Sequence, residues 1–194
     1  HVCKHKAVII PLLFKGKEEK VLKEAHALEK ALKSYKVLLD ERAEYKPGHK
    51  FSEWEMKGIP LRIEIGPNDV EKKQIVVVKR NDSEKIPIKI KDVKKELSKI
   101  LMRMHDELYE KANAFLQENI VHVDNFNDFK DAISKRKIVH TYFCGETACE
   151  DNIKDKADGA TSRCISFDAK PVKGKVCSAC GKKAVTEIYF SKSY

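Results

Sequence analysis

The chain has 194 residues, and a hydrophobic fraction of 42% is enough to bury the cores of two modest domains. The formal net charge of +9 favours an anionic partner such as nucleic acid, although a solvated Lys- and Glu-rich surface of a heat-adapted protein explains it equally well. No apolar run reaches the roughly 18 to 20 residues of a membrane span, and the start does not resemble a signal peptide, so we expect a cytoplasmic protein.

The first half of the sequence alternates between strand and helix patterns. Short apolar and β-branched runs predict strands, and apolar residues on one face of a 3.6-residue period predict helices. The predicted elements are strands at 7–13, 37–39 and 61–65, a helix at 17–34, a hairpin at 74–79 and 86–90, and a long helix at 92–118. This order indicates a mixed sheet with helices on its faces.

The segment 40–69, DERAEYKPGHKFSEWEMKGIPLRIEIGPND, combines alternating charges, one Trp and three turn signals between two apolar runs. Proline and glycine pairs bracket a short helix at about 48–57. Beyond Pro60 apolar and charged residues alternate, which predicts a strand with Arg62 and Glu64 on the face opposite the core. The composition is typical of a surface that contacts a partner.

A second unit begins near Val121, with a predicted helix around 126–133 and a predicted strand at 138–143. Five of the six cysteines follow. Two close pairs, Cys144-x4-Cys149 and Cys177-x2-Cys180, have the arrangement that a tetrahedral metal requires.

Structural zinc is the interpretation that the cysteine spacing favours. Reduced packing cysteines come next, and catalytic zinc comes last because four thiolates leave no open position. A disulfide framework or a redox pair fits a leaderless cytoplasmic protein less well. Cys164, on a strand-like run, is predicted to be a small buried hydrophobe, and Cys3 is given no role.

The segment 40–69 resembles the anticodon-binding domain of prolyl-tRNA synthetases of the archaeal and eukaryotic type, which belong to class IIa. The family pattern PG-x-KF-x-x-WE-x-KG-x-P-x-R-x-E-x-GP is matched at every position, and the resemblance runs to the last residue. It implies an α/β anticodon-binding domain at 1–115, with a mixed five-stranded sheet flanked by helices. A small α/β zinc-binding domain at 116–194 would follow.

The resemblance also implies roles for individual residues. Family contacts to the two guanines shared by proline anticodons correspond to Glu55, Arg62 and Lys85, while Asn68 stands where the family often has a basic residue, which leaves that contact open. The zinc ligands would be Cys144, Cys149, Cys177 and Cys180. The carboxylate of the last residue, Tyr194, would reach towards the active site of a catalytic domain.

For the full enzyme, the resemblance implies activation of proline with ATP and magnesium and its attachment to tRNA(Pro), in a homodimer formed mainly through an N-terminal catalytic domain. The sequence contains none of the three class II catalytic motifs, no Gly-rich phosphate loop and no Ser/His/Asp arrangement, so we expect the chain alone to be inactive. Because the first residue is His1, we expect it to begin inside a longer polypeptide. The alternative is a non-catalytic synthetase-like module that binds RNA or protein.

Simpler interpretations exist for the proposed contact residues. Ser52-x-x-Glu55 fits a capping box, with Phe51 and Met56 as its hydrophobic staple, in which case Glu55 only caps a helix. Without the resemblance, Arg62 and Glu64 fit better as solvated partners on an exposed strand face.

Other aromatic and basic residues are interpreted as structural. Trp54 lies three residues after Phe51 and is assigned to the core. The histidines at 26, 105 and 140 lack metal-ligand spacing and are taken as surface or satisfied core residues. The basic run at 135–137 fits a solvated turn better than a phosphate contact.

Overall fold

The computed structural model describes residues 3–169 and 171–193. The chain divides into two compact units, 1–109 and 110–194. The division falls within a long helix, Val93–Asn119, which also contains the boundary after residue 115 that the resemblance implied. Among the described residues, no helix is both long and apolar enough to cross a bilayer.

The first unit is built on a mixed five-stranded sheet, as predicted. Its strands are β1 (Ala7–Pro11), β2 (Val37–Leu39), β3 (Leu61–Ile65), β4 (Gln74–Lys79) and β5 (Lys85–Lys89). They are ordered β2-β1-β3-β4-β5; the first three run parallel, and β4 and β5 continue the sheet antiparallel.

Four helices belong wholly or partly to this unit: α1 (Glu18–Ala31), α2 (Pro47–Met56), α3 (Pro67–Glu71) and α4 (Val93–Asn119). Short 3-10 turns occupy Lys33–Tyr35 and Ile90–Asp92. The sequence pattern predicted that the strand ends at residue 65 but did not predict α3. Pro67 is suited to a first helical position, and the Asp69 carboxylate accepts a hydrogen bond from the Gly66 N–H at 3.0 Å, so the chain turns directly into a helix.

The two faces of the first sheet pack differently. One face carries Ile9, Ile63 and Val77, which are fully buried with apolar residues of α1 and α4 in the main core. The other face carries Val8 and Ile10, which form a smaller cluster with the inner side of α2. The alternation of side chains along each strand therefore assigns α2 to its own face of the sheet.

The second unit contains a four-stranded sheet ordered β6-β7-β9-β8. Its elements are β6 (Ile120–Val123), α5 (Phe126–Ser134), β7 (Ile138–Phe143), α6 (Thr147–Lys156), β8 (Ala160–Cys164) and β9 (Thr186–Lys192). The predicted helix and the predicted strand correspond to α5 and β7, whereas β6 and α6 were not predicted. Residues of both helices and of the sheet, among them Phe129, Ile153 and Phe190, form one core.

Candidate nucleic-acid interface and metal centre

Arg62 lies between two carboxylates on the α2 face of the first sheet. Its guanidinium donates to Glu55 at 2.5 Å and to Glu64 at 2.8 Å, and it stacks 3.9 Å from the centre of the Phe51 ring. The Arg62 side chain is only 12% exposed, so it is not a solvated surface residue, whereas Glu55 is 47% exposed. The cluster therefore holds a fixed arginine fork beside a carboxylate that faces solvent.

The capping-box interpretation of Glu55 is wrong. Helix α2 begins at Pro47, six residues earlier than that interpretation requires, because proline is well suited to a first helical position. Ser52 consequently lies inside the helix and donates to the Gly48 carbonyl at 3.3 Å, and Met56 is 88% exposed instead of forming a staple. Glu55 is in the last turn of α2, where it has no capping role.

Lys85 shares a face with Arg62 through the strand register. Arg62 pairs with Val78 across β3 and β4, and Val78 pairs with Lys85 across β4 and β5. Directly opposite residues in antiparallel strands point to the same side, so these three form a line that we call the β3–β5 row. Two strand spacings separate its ends by roughly 10 Å. Lys85 is exposed, so the row presents a planar donor and an ammonium group, and Glu55 of α2 adds an acceptor beside Arg62.

A buried carboxylate connects α2 to the end of β2. Asp40 is 3% exposed and accepts hydrogen bonds from the Arg42 guanidinium at 2.8 and 2.9 Å and from the Trp54 indole at 2.7 Å. The buried Lys50 ammonium donates to the Asp40 carbonyl at 3.1 Å and lies 3.6 Å from its carboxylate. We call these four residues the Asp40 hub.

The hub keeps its carboxylate ionised. Burial by itself would raise the pKa of Asp40, but the hydrogen bonds from Arg42 and Trp54 outweigh it and hold the pKa far below its usual range. Trp54 is half-buried, with its ring against the small apolar cluster under α2 and the Lys57 ammonium 4.4 Å from the ring centre. Trp54 therefore packs in the core, as predicted, and also donates a hydrogen bond to Asp40. The two contacts together fix the orientation of α2.

Lys79 is a second buried cation that the sequence pattern did not reveal. It is 1% exposed, and its ammonium forms ion pairs of 2.8 to 3.0 Å with Asp82, Glu84 and Glu107. Burial would lower the pKa of Lys79, but the hydrogen bonds that its ammonium donates to these carboxylates raise the pKa above its ordinary value. Lys79 thereby anchors the β4–β5 turn to α4, and this turn precedes Lys85.

The four predicted cysteines converge in the second unit. The sulfur atoms of Cys144, Cys149, Cys177 and Cys180 all lie within 4.8 Å of one another, with Sγ–Sγ distances of 3.8 Å for Cys149–Cys177 and 3.7 Å for Cys144–Cys180. A tetrahedral ion with metal–sulfur bonds of about 2.3 Å requires sulfur separations of about 3.8 Å. The cluster therefore has the dimensions to hold a metal ion.

Local backbone geometry explains how the cysteines meet. Cys144 follows β7 directly, and Gly145, with φ of +80°, turns the chain into α6, which carries Cys149. A side chain at Gly145 would also meet Val185 at 3.0 Å. The second pair occupies a tight turn in which the Gly181 N–H donates to the Cys177 carbonyl at 2.9 Å.

The thiols differ in acidity. Burial raises the pKa of Cys144 and of Cys149. Burial also opposes ionisation of Cys177, but backbone N–H groups of Cys180 and Ala179 outweigh it and lower the pKa of this thiol. A bound divalent cation would favour the thiolate form at all four positions.

Three other sequence interpretations meet different outcomes. Cys164 is exposed at the end of the edge strand β8, so the prediction that it is buried is wrong; a register irregularity between Ser162 and Cys164 interrupts the alternation on which that prediction relied. The basic run at 135–137 forms the connection between α5 and β7. Tyr194 lies outside the described residues.

Comparison with known proteins agrees with both units. Residues 6–100 match the family model described as anticodon binding domain, and residues 126–194 match the model described as prolyl-tRNA synthetase, C-terminal. An anticodon-binding fold followed by this C-terminal domain defines the chain as part of an aminoacyl-tRNA synthetase.

Curated relatives extend the match along the whole chain. Proteins named Proline--tRNA ligase from Natranaerobius thermophilus, Alkaliphilus oremlandii and Clostridium botulinum are 37%, 38% and 40% identical over 100%, 96% and 97% of this chain. The aligned regions cover 40%, 38% and 39% of those proteins, so the chain spans less than half of their length. The chain belongs to the prolyl-tRNA synthetase family and corresponds to its C-terminal portion.

Proposed function

We propose that the chain is the tRNA-recognition part of a proline--tRNA ligase and that it reads the proline anticodon with Glu55, Arg62 and Lys85. The observation that carries this proposal is the placement of an exposed carboxylate, a fixed arginine fork and an exposed lysine on one face of the first sheet. The family model for anticodon binding over residues 6–100 supports it.

The chemistry of these groups suits guanine bases in a single-stranded loop. The Glu55 carboxylate can accept hydrogen bonds from the N–H groups on the Watson–Crick edge of guanine. The Arg62 guanidinium can donate to the O6 and N7 acceptors of the same kind of base. Lys85 supplies a charge-assisted donor at the far end of the β3–β5 row. Before tRNA binds, Glu55 and Arg62 satisfy each other, so recognition exchanges an internal ion pair for base contacts.

The Asp40 hub would serve this function indirectly. Glu55 and Phe51 both belong to α2, whereas Arg62 belongs to β3, so their meeting depends on how α2 is held against the sheet. The hub supplies that restraint through hydrogen bonds from residues at both ends of the 40–54 segment.

The four-cysteine cluster fits structural zinc as its resident metal. Four sulfur ligands at tetrahedral separations favour zinc over ions that prefer oxygen, and they leave no coordination position for substrate. When bound, zinc would stabilise the folded second unit, since the binding free energy of such a site is also folding free energy.

The remaining functions belong to the whole enzyme and are part of the same proposal. They comprise proline activation with ATP and magnesium in a preceding catalytic domain, homodimerisation, a cytoplasmic location and support of the active site by the Tyr194 carboxylate. Deleting Tyr194 from a full-length enzyme should then lower proline-dependent ATP–pyrophosphate exchange without weakening tRNA binding. An unchanged exchange rate would remove this role from Tyr194.

The central test is binding of the chain to two tRNA transcripts that differ only in the anticodon. We expect tighter binding to the transcript with the proline anticodon, and Arg62→Ala should reduce that preference by roughly 1 to 3 kcal/mol. Equal affinity of the unmutated chain for both transcripts would contradict anticodon reading and favour the accessory-module alternative.

A further inference from the structure

Two histidines face each other on the second sheet, on the side opposite its core. His122 and His140 are paired in the register of the parallel strands β6 and β7, so their side chains point to the same face. Their Nδ1 atoms lie 3.4 Å apart. On β7 the flanking residues Val139 and Thr141 are buried, so His140 points away from the core that contains the cysteine cluster.

Each ring has a carboxylate at its other nitrogen. The Nε2 atom of His122 lies 3.1 Å from the carboxylate of Asp124, and the Nε2 atom of His140 lies 3.5 Å from the carboxylate of Glu187. The hydrogen bond to Asp124 favours a proton on Nε2 of His122, and the charge of Glu187 favours the same tautomer of His140. The two unprotonated Nδ1 atoms then present lone pairs to each other, an arrangement that a cation between them would stabilise.

The distances suit a metal ion. Two nitrogen ligands at about 2.0 to 2.1 Å from a tetrahedral ion are about 3.4 Å apart, which matches the Nδ1–Nδ1 distance. Carboxylates that accept from the outer N–H of ligating histidines are a recurrent feature of metal sites, because they fix the tautomer and make the ligand more basic. The Asp124 and Glu187 carboxylates also supply negative charge behind the two rings, on the side away from the ion.

Aromatic neighbours hold both rings. His140 stacks on Tyr189 with ring centres 4.5 Å apart, and His122 meets the ring of Tyr142 edge-on at 5.2 Å. The Lys175 ammonium lies over the ring of Tyr142, 4.8 Å from its centre. The imidazoles are thus positioned by packing as well as by charge, which lowers the cost of ordering them around an ion.

We propose that His122 and His140 form a second, two-histidine site for a divalent transition-metal ion of the kind that imidazole favours, such as zinc, nickel or copper. Water would complete its coordination, since both histidine side chains are partly exposed. The site differs chemically from the four-cysteine cluster, because nitrogen ligands and open positions replace a closed set of thiolates.

The test uses the 194-residue chain loaded with zinc at its cysteines and Ni²⁺ as the added probe. Calorimetry should show one saturable Ni²⁺ site, and paramagnetic broadening should appear first in the imidazole signals of His122 and His140. His122→Ala and His140→Ala should each abolish the saturable site, and Asp124→Asn should weaken its affinity about tenfold.

His26 provides the matched control. It is an exposed histidine whose Nε2 atom also lies 3.1 Å from a carboxylate, that of Glu41, but within residues 3–169 and 171–193 no second histidine is paired with it. His26→Ala should leave the Ni²⁺ affinity unchanged. Equal Ni²⁺ binding by the unmutated chain and the two histidine variants, with all histidine signals broadened alike, would overturn the proposal. The zinc content of every variant should equal that of the unmutated chain, which shows that any change in Ni²⁺ binding does not come from damage to the cysteine cluster.

Discussion

The indole N–H of Trp54 donates to the buried carboxylate of Asp40 at 2.7 Å, and together with Lys50 this bond joins α2 to the loop that follows β2. Trp54 also packs against apolar residues of β1. The helix is therefore held by one polar and one apolar contact of the same side chain, and the position of Glu55, the next residue, depends on both.

Asp40→Asn should strongly destabilise the first unit. The substitution preserves shape but removes the negative charge opposite Arg42 and the buried Lys50, and breaking a buried pair in this way costs about 3 to 5 kcal/mol. Urea unfolding followed by the fluorescence of Trp54, the one Trp of the chain, reports on this unit. Glu71→Gln, which removes an exposed partner of Lys17, should change stability by less than about 1 kcal/mol. A similar effect of both substitutions would contradict the role of the hub.

The same carboxylate should make the first unit sensitive to acid. The pKa of Asp40 is lowered in the folded state, so its stabilisation is fully present above the unfolded value of about 3.9 and is lost as the pH falls below it. Protons then bind the unfolded chain more readily than the folded one. The free energy of unfolding, measured between pH 6 and pH 2.5 by Trp54 fluorescence, should fall more steeply for the unmutated chain than for Asp40→Asn. Parallel curves would exclude this contribution.

Cys177→Ser should abolish metal binding at the cysteine cluster, because it removes one of four convergent sulfur ligands. Cys164→Ser should retain the metal, since Cys164 is exposed at the end of β8. Elemental analysis of the purified variants measures both outcomes. Chelation should lower the melting temperature of the second unit while the Trp54 signal of the first unit stays unchanged. Loss of metal from Cys164→Ser would show that the ligand set is assigned incorrectly.

Lys85→Ala should weaken binding to the cognate anticodon by roughly 1 to 3 kcal/mol and reduce discrimination against the swapped anticodon. The matched control is Lys89→Ala on the same strand, beyond the β3–β5 row, where the lysine is also exposed. Lys89→Ala should weaken binding to both transcripts equally or leave it unchanged. If only Lys89→Ala lost discrimination between the two anticodons, the recognition surface would include Lys89 and not Lys85.

Much of the architecture could be predicted because it depends on local patterns. The β-branched run that forms β4 and the alternation around Arg62 identify strands without reference to distant residues, and two short cysteine spacings identify the four-cysteine cluster. The capping-box interpretation failed because Pro47 and Ser52 are both helix-start signals and lie a few residues apart. Pro47 determines where α2 begins.

The remaining features depend on contacts between distant residues. Lys79 lies in an apolar run, and its partner Glu107 is 28 positions away. His122 and His140 are separated by 18 positions and meet only through the parallel register of β6 and β7. A single sequence contains no pattern that specifies such pairings, because strand order and register are set by the packing of the whole unit.

The β3–β5 row also limits the shape of any nucleic acid that contacts both of its ends. Successive bases along a regularly stacked strand are about 3.4 Å apart, whereas two strand spacings separate Arg62 and Lys85 by roughly 10 Å. Neighbouring stacked bases therefore lie closer together than the two backbone positions from which these side chains extend. The spacing of the row thus suits a strand whose bases are splayed apart.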